Sequence, residues 1–158
     1  MYRRILLATD GSDLSLHAVD HGIALARSTG ATVVGVYASP PFAAPSGFEF
    51  IPATLLPIEA YEESTREAAK RMLGDVAARA RAAKVPCKVR HVRSLPPADA
   101  IVAIAQDEKC DLVVMGSHGY AALKQVWLGS VTTRVLARCT VPVLVHRDPP
   151  PARRKRAR

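Results

Sequence analysis

The stretch Asp111–Arg134 (DLVVMGSHGYAALKQVWLGSVTTR) constrains this chain more than any other. An apolar run, Leu112-Val113-Val114-Met115, breaks on Gly116-Ser117-His118-Gly119; after nine intervening residues Gly129-Ser130-Val131-Thr132-Thr133 opens a helical pattern. A short apolar run bounded by glycine fits a buried parallel strand. Glycines at a strand end let the backbone turn sharply and let a ligand approach its N–H groups. Ser130 suits a helix cap, and the N–H groups behind it are placed to bind an anion. Gly116 and Gly119 alone fit an ordinary turn as well as a phosphate cradle. The full spacing, two glycines three apart and then Gly-Ser ten further on, favours the cradle.

The rest of the chain alternates strand and helix. Ile5–Ala8 reads as a first strand ending at Thr9-Asp10-Gly11-Ser12, with Ser12 or Asp13 capping a helix that runs to about Ser28. Ala31–Ala38 is a second strand, and a long helix covers Ile58 to Lys84. Val85–Val92 is a third strand, Ala98–Glu108 a helix introduced by Pro96-Pro97, Leu112–Met115 a fourth strand, Ser130–Arg138 a helix, and Val141–Val145 a fifth strand. This order predicts an α/β fold: a doubly wound parallel sheet with helices on both faces and ligands held outside the C-terminal strand ends. Between the second strand and the long helix, Ser39–Pro57 carries five prolines and every phenylalanine of the chain. Such a length fits a flap near a ligand or an inert excursion equally well.

Composition limits the function classes. At 158 residues the chain suits one domain with a real core, and no apolar run reaches the ~18 residues that span a bilayer. The N-terminus lacks the zones of a signal peptide, so a cytoplasmic protein is expected. Cys87, Cys110 and Cys139 are odd in number and dispersed, which argues against a disulfide framework or a zinc site of the C-x2-C type. The net charge is +8, of which Arg147–Arg158 supplies six Lys/Arg against one Asp. The expected organisation is a domain over residues 1–147 and a proline- and arginine-rich tail over 148–158, which cannot bury apolar area and should be disordered. Weak, salt-sensitive contact with nucleic acid or an anionic surface is all such a tail implies.

From the residues alone, the N–H groups of Gly119, Gly129 and Ser130, with the hydroxyls of Ser130 and Thr132, would hold phosphate oxygens. Asp10 would repel a phosphate, and suits a ribose hydroxyl, a base or a hydrated metal ion. Ala8, Val36 and Met115 offer apolar walls for a purine. No G-x4-G-K-[ST] occurs, so this is not a Walker loop. His118 is expected to face solvent. His17 and His21, four apart on one helical face, are expected to be surface residues, as are His91 and His146.

These motifs, with the strand into Asp10-Gly11-Ser12 and the terminal Val141-Pro142-Val143-Leu144-Val145, strongly resemble the ATP-binding branch of the universal stress protein family over roughly Met1–Arg147. The resemblance implies a Rossmann-like sheet of order 3-2-1-4-5, which sets Asp10 and Gly116 in one crevice. It implies nucleotide contacts at Asp10, Val36, Met115, Gly116, Gly119, Gly129, Ser130, Val131 and Thr132. It also implies a homodimer through Val141–Val145, and a stress-response switch that binds ATP, with or without Mg2+. With no lysine or general base at a fixed place, binding is better founded than catalysis; the alternative is a slow ATPase or nucleotidyl-transferring enzyme. The Ser94-Leu95-Pro96-Pro97 segment departs from the family, where a glycine precedes the proline.

Overall fold

A computed structural model describes residues 1–43, 56–94, 96–118 and 128–148. In chain order these form β1 (Arg4–Ala8), α1 (Asp13–Thr29), β2 (Thr32–Ser39), α2 (Ile58–Ala82), β3 (Cys87–Arg93), α3 (Pro97–Asp107), β4 (Leu112–Gly116), α4 (Ser130–Arg138) and β5 (Val143–His146). The five strands make one parallel sheet of order β3-β2-β1-β4-β5.

The period of two along each strand builds two separate cores. Ile5 and Leu7 of β1, Val33 of β2 and Leu112 and Val114 of β4 face one side. There they meet Ala18, Val19, Ile23 and Ala26 of α1 and Val76 and Ala80 of α2. Leu6 and Ala8, Val34 and Val36, and Val113 and Met115 face the other side, against Ala98, Ile101, Ile104 and Ala105 of α3 and Val135 of α4. Both faces of the central strands are therefore dry, as their unbroken apolar sequences require. Helix α1 lies close to the sheet because Gly22 has no side chain: a β-carbon there would stand 2.3 Å from Leu7 Cδ2.

Several element boundaries differ from those expected, each for a local reason. Val85 does not open β3; its N–H returns to the Ala80 carbonyl at 2.9 Å and closes α2, and Pro86 follows before the strand begins at Cys87. Helix α3 starts at Pro97, whose missing N–H costs nothing at the first helical position. Strand β5 starts at Val143, not Val141. Pro142 has no N–H for the ladder, although its carbonyl accepts from Val113 N at 3.0 Å.

The order places β1 beside β4, with the connections from their C-terminal ends running to opposite edges of the sheet. At the other end the two strands are stapled together: the Asp111 carboxylate accepts from the backbone N–H of Arg3 at 2.8 Å and of Arg4 at 3.0 Å. Burial raises the Asp111 pKa, but these bonds outweigh it and hold the carboxyl below its ordinary range.

Candidate functional site

A cavity of ≈ 640 Å³ opens at the C-terminal ends of β1, β2 and β4. It is the switch-point crevice that the topology calls for, and its volume lies in the range of small-molecule sites. A second cavity, of ≈ 610 Å³, lies between α1 and α2 beside the Asp20–Arg79 ion pair, away from the strand ends.

The first wall of the crevice is the turn after β1. Thr9, Asp10 and Ser15 line it. The Ser12 hydroxyl and N–H both donate to Asp10 Oδ1, at 2.6 and 3.1 Å, which sets the direction of the carboxylate. Ser12 Oγ also accepts from Ser15 N and caps α1. Ser15 Oγ donates to the Ser12 carbonyl at 2.9 Å, so in the 2.9 Å contact between Thr9 and Ser15 the Thr9 hydroxyl must be the donor. Thr9 Oγ1 in turn accepts from Gly11 N at 3.1 Å. Thr9 and Ser15 are buried, so this chain of hydroxyls makes the Asp10 turn rigid.

The opposite wall joins β4 to α4. Gly129 N donates to the Ser117 carbonyl at 2.7 Å, and Thr132 Oγ1 donates to the Gly116 carbonyl at 3.0 Å. The start of α4 is thus tied to the strand end at two points. Close approach is needed here: a β-carbon on Gly129 would lie 3.1 Å from His118 Cα and 3.4 Å from His118 Cβ. Gly129, not Ser130, is the capping residue of α4, and among the described residues no side chain closes the cap. Ser130 is instead the first helical residue, so its hydroxyl and the first-turn N–H groups of Ser130, Val131 and Thr132 lie at the end of the helix that borders the cavity. A helix terminus of this kind attracts negative charge.

Between the two walls, Ala8, Val36, Met115 and Ile101 provide an apolar floor. Of the residues singled out from sequence, the structure brings Ala8, Asp10, Val36, Met115, Gly116, Gly129, Ser130, Val131 and Thr132 into this one cavity. Gly119 lies outside the described residues, as does most of the Ser39–Pro57 segment. Two expectations are corrected. The Thr132 hydroxyl proton is engaged by Gly116 and serves to hold the helix start in place. His118 lines the cavity and is half-buried, with Nδ1 3.1 Å from Ser117 Oγ, next to the Ser117 carbonyl that accepts from Gly129 N.

Other lining residues had no motif to reveal them. Tyr37 lines the cavity at the end of β2 and stacks on His91, with ring centroids 5.5 Å apart and planes 15° from parallel. Burial, then the charges of Tyr61 and Asp10, push its phenol above the ordinary pKa, so it stands as a neutral donor. His91 is held by Ser39 Oγ at 2.8 Å, and burial, then Arg93, lower its pKa. Among the described lining residues there is no Lys or Arg. The partial positive charge of the α4 N-terminus borders this part of the cavity wall.

A doubly wound sheet with a part-apolar switch-point cavity, bordered on one side by a helix N-terminus, is the arrangement in which open α/β domains hold ligands outside their strand ends. The model of the Universal stress protein family matches residues 1–147, and the chain belongs to that family. Universal stress protein MJ0531 of Methanocaldococcus jannaschii is 33% identical over 153 residues, covering 94% of this chain and 84% of that protein. A universal stress protein of Thermus aquaticus is 33% identical over 147 residues, covering 93% and 100%. Among solved structures, MJ0577 of M. jannaschii superposes with a TM-score of 0.78 at 29% identity, covering 95% of this chain and 99% of that one. A universal stress protein in complex with cAMP superposes with a TM-score of 0.63 at 31% identity, covering 92% and 97%.

Proposed function

We propose that this protein binds ATP in the β1–β4 crevice and acts as a nucleotide-dependent regulator in a stress response. The observation that carries the reading is the uncapped first turn of α4, pinned to the end of β4 and bordering a cavity that also has an apolar floor and a fixed carboxylate. The adenine lies against Ala8, Val36 and Met115. Asp10, oriented by Ser12, takes a ribose hydroxyl or a hydrated Mg2+. The phosphates meet the N–H groups of Ser130, Val131 and Thr132 and the Ser130 hydroxyl, with Gly129 allowing the close approach. The 31%-identical universal stress protein crystallised with cAMP supports an adenine nucleotide as the ligand class.

The wider reading is a cytoplasmic homodimer. Its support is the short edge strand β5, whose four residues are all half-exposed. An edge of this kind is completed by pairing with a second copy across a two-fold axis. The basic residues of 149–158, outside the described part, add at most weak anionic contact.

Mass spectrometry of the nucleotide released by denaturing protein purified without added ligand tests the reading. Recovery of ATP in near-stoichiometric amount, and its loss from a Ser130→Ala variant together with Gly129→Ala, is expected. Equal recovery from parent and variant would sink it.

A further inference from the structure

The two histidines of α1 acquire partners that their spacing did not reveal. His146 ends β5 and Asp148 follows two residues later. Packing of β5 beside β4, under α1, brings both to the face of α1 that carries His17 and His21. His17 Nδ1 lies 2.9 and 3.1 Å from the two oxygens of Asp148. His146 Nε2 lies 3.3 Å from Asp148 Oδ1. The His146 ring stands 6.3 Å from the ring of His17 and 5.8 Å from that of His21. One ligand atom each from His17, His146 and Asp148 fall within 4.8 Å of one another. None of the three lines the β1–β4 cavity, so the cluster stands apart from the nucleotide reading.

Two imidazole nitrogens and a carboxylate oxygen form a donor set for borderline divalent cations. Zinc bonds of about 2.0–2.1 Å in a tetrahedron place neighbouring ligand atoms roughly 3.3–3.4 Å apart. The contacts of 2.9 and 3.3 Å lie at or just inside that edge, and the remaining pair is within 4.8 Å. A carboxylate only accepts, so the ring nitrogens facing Asp148 carry protons in the metal-free chain. On metal uptake each ring keeps one proton on its outer nitrogen and turns an unprotonated lone pair to the ion. The three cysteines are elsewhere in the fold, so the ligands are nitrogen and oxygen only.

We propose that His17, His146 and Asp148 form a binding site for a divalent cation of the zinc class, with the His21 ring packed beside it. The bound ion would pin the segment after β5 onto α1, joining the sheet edge to the helix that begins at the Asp10 turn. Asp148 thereby belongs to the folded domain and not to the basic tail.

The test is titration of the full chain, stripped of metal and nucleotide, with ZnCl2 against a chromophoric chelator, and in parallel with CoCl2 followed by visible absorption. One zinc per chain is expected, with cobalt d–d bands and no thiolate-to-cobalt charge transfer. Loss of an outer-shell partner alone costs 10–100-fold in metal affinity, so His17→Gln and Asp148→Asn should each weaken binding by at least about tenfold. His21→Gln should have a smaller effect. Zinc should raise the melting temperature of the parent and not of the two variants, whose metal-free melting should match the parent's. Affinity unchanged in both variants, a thiolate charge-transfer band, or no saturable binding below millimolar zinc would each overturn the proposal.

Discussion

Thr132 Oγ1 donates a 3.0 Å hydrogen bond to the carbonyl oxygen of Gly116, so the first turn of α4 is bound to the last residue of β4. Thr132 is 2% exposed, and the bond therefore forms where water cannot replace it. Thr132→Val keeps the shape and removes the donor. The expected cost is about 1–2 kcal/mol, read as a lower urea midpoint at unchanged m-value. Thr132→Ser should recover most of the loss. Equal stability of the Val and Thr proteins would show that the bond does not hold the helix start.

Gly129→Ala separates binding from folding. Its β-carbon would press on His118 Cα at 3.1 Å, in a loop that has to give by a few tenths of an ångström. We expect ATP affinity to fall about tenfold or more, equivalent to at least ~1.4 kcal/mol, while the melting temperature changes little. Unchanged affinity would place the phosphates elsewhere.

Gly22→Ala is the converse. The added methyl would stand 2.3 Å from Leu7 Cδ2 in the α1–β1 core, where Leu7 is 0% exposed. Overpacking of this kind costs roughly 1–3 kcal/mol. Chemical denaturation should show that loss, and wild-type stability would mean that α1 shifts freely on the sheet.

Asp111 supplies a pH dependence. Its folded pKa lies below the ordinary value of 3.8 because it accepts the Arg3 and Arg4 N–H bonds. A depressed carboxylate contributes stability that is fully present above the ordinary pKa and is lost as pH falls through the folded value. The group is partly exposed, so the neutral-pH contribution is about 1 kcal/mol. Asp111→Asn should be less stable than the parent by that amount at pH 7, and the gap should close as the parent is acidified below its ordinary carboxylate range. A gap that stays constant with pH would remove Asp111 from the acid sensitivity.

The strand–helix alternation and the Gly-rich spacing made the sheet and most of the crevice legible, because both are local patterns with fixed periods. Asp10 and Gly116 meet only through the strand order, which came from family likeness and which the sheet bears out. Tyr37, Thr9 and Ser15 were not legible. Tyr37 sits one step along β2 from Val36, on the alternate face, and lies beyond the last residue of β1 paired to β2, Ala8 opposite Val36. Thr9 and Ser15 matter through hydrogen bonds to each other, and a hydroxyl in sequence does not announce its partner. The meeting of His17 with Asp148, 131 residues apart, depends on packing that no helical spacing encodes.

The central claim is most directly tested by equilibrium binding of ATP to the nucleotide-free chain with Mg2+ present, run beside Gly129→Ala and Ser130→Ala. Saturable binding at one ATP per chain, weakened in both variants, is the predicted result. No measurable binding by the parent at millimolar ATP, or binding that both variants leave untouched, would contradict a nucleotide site at the junction of β4 and α4.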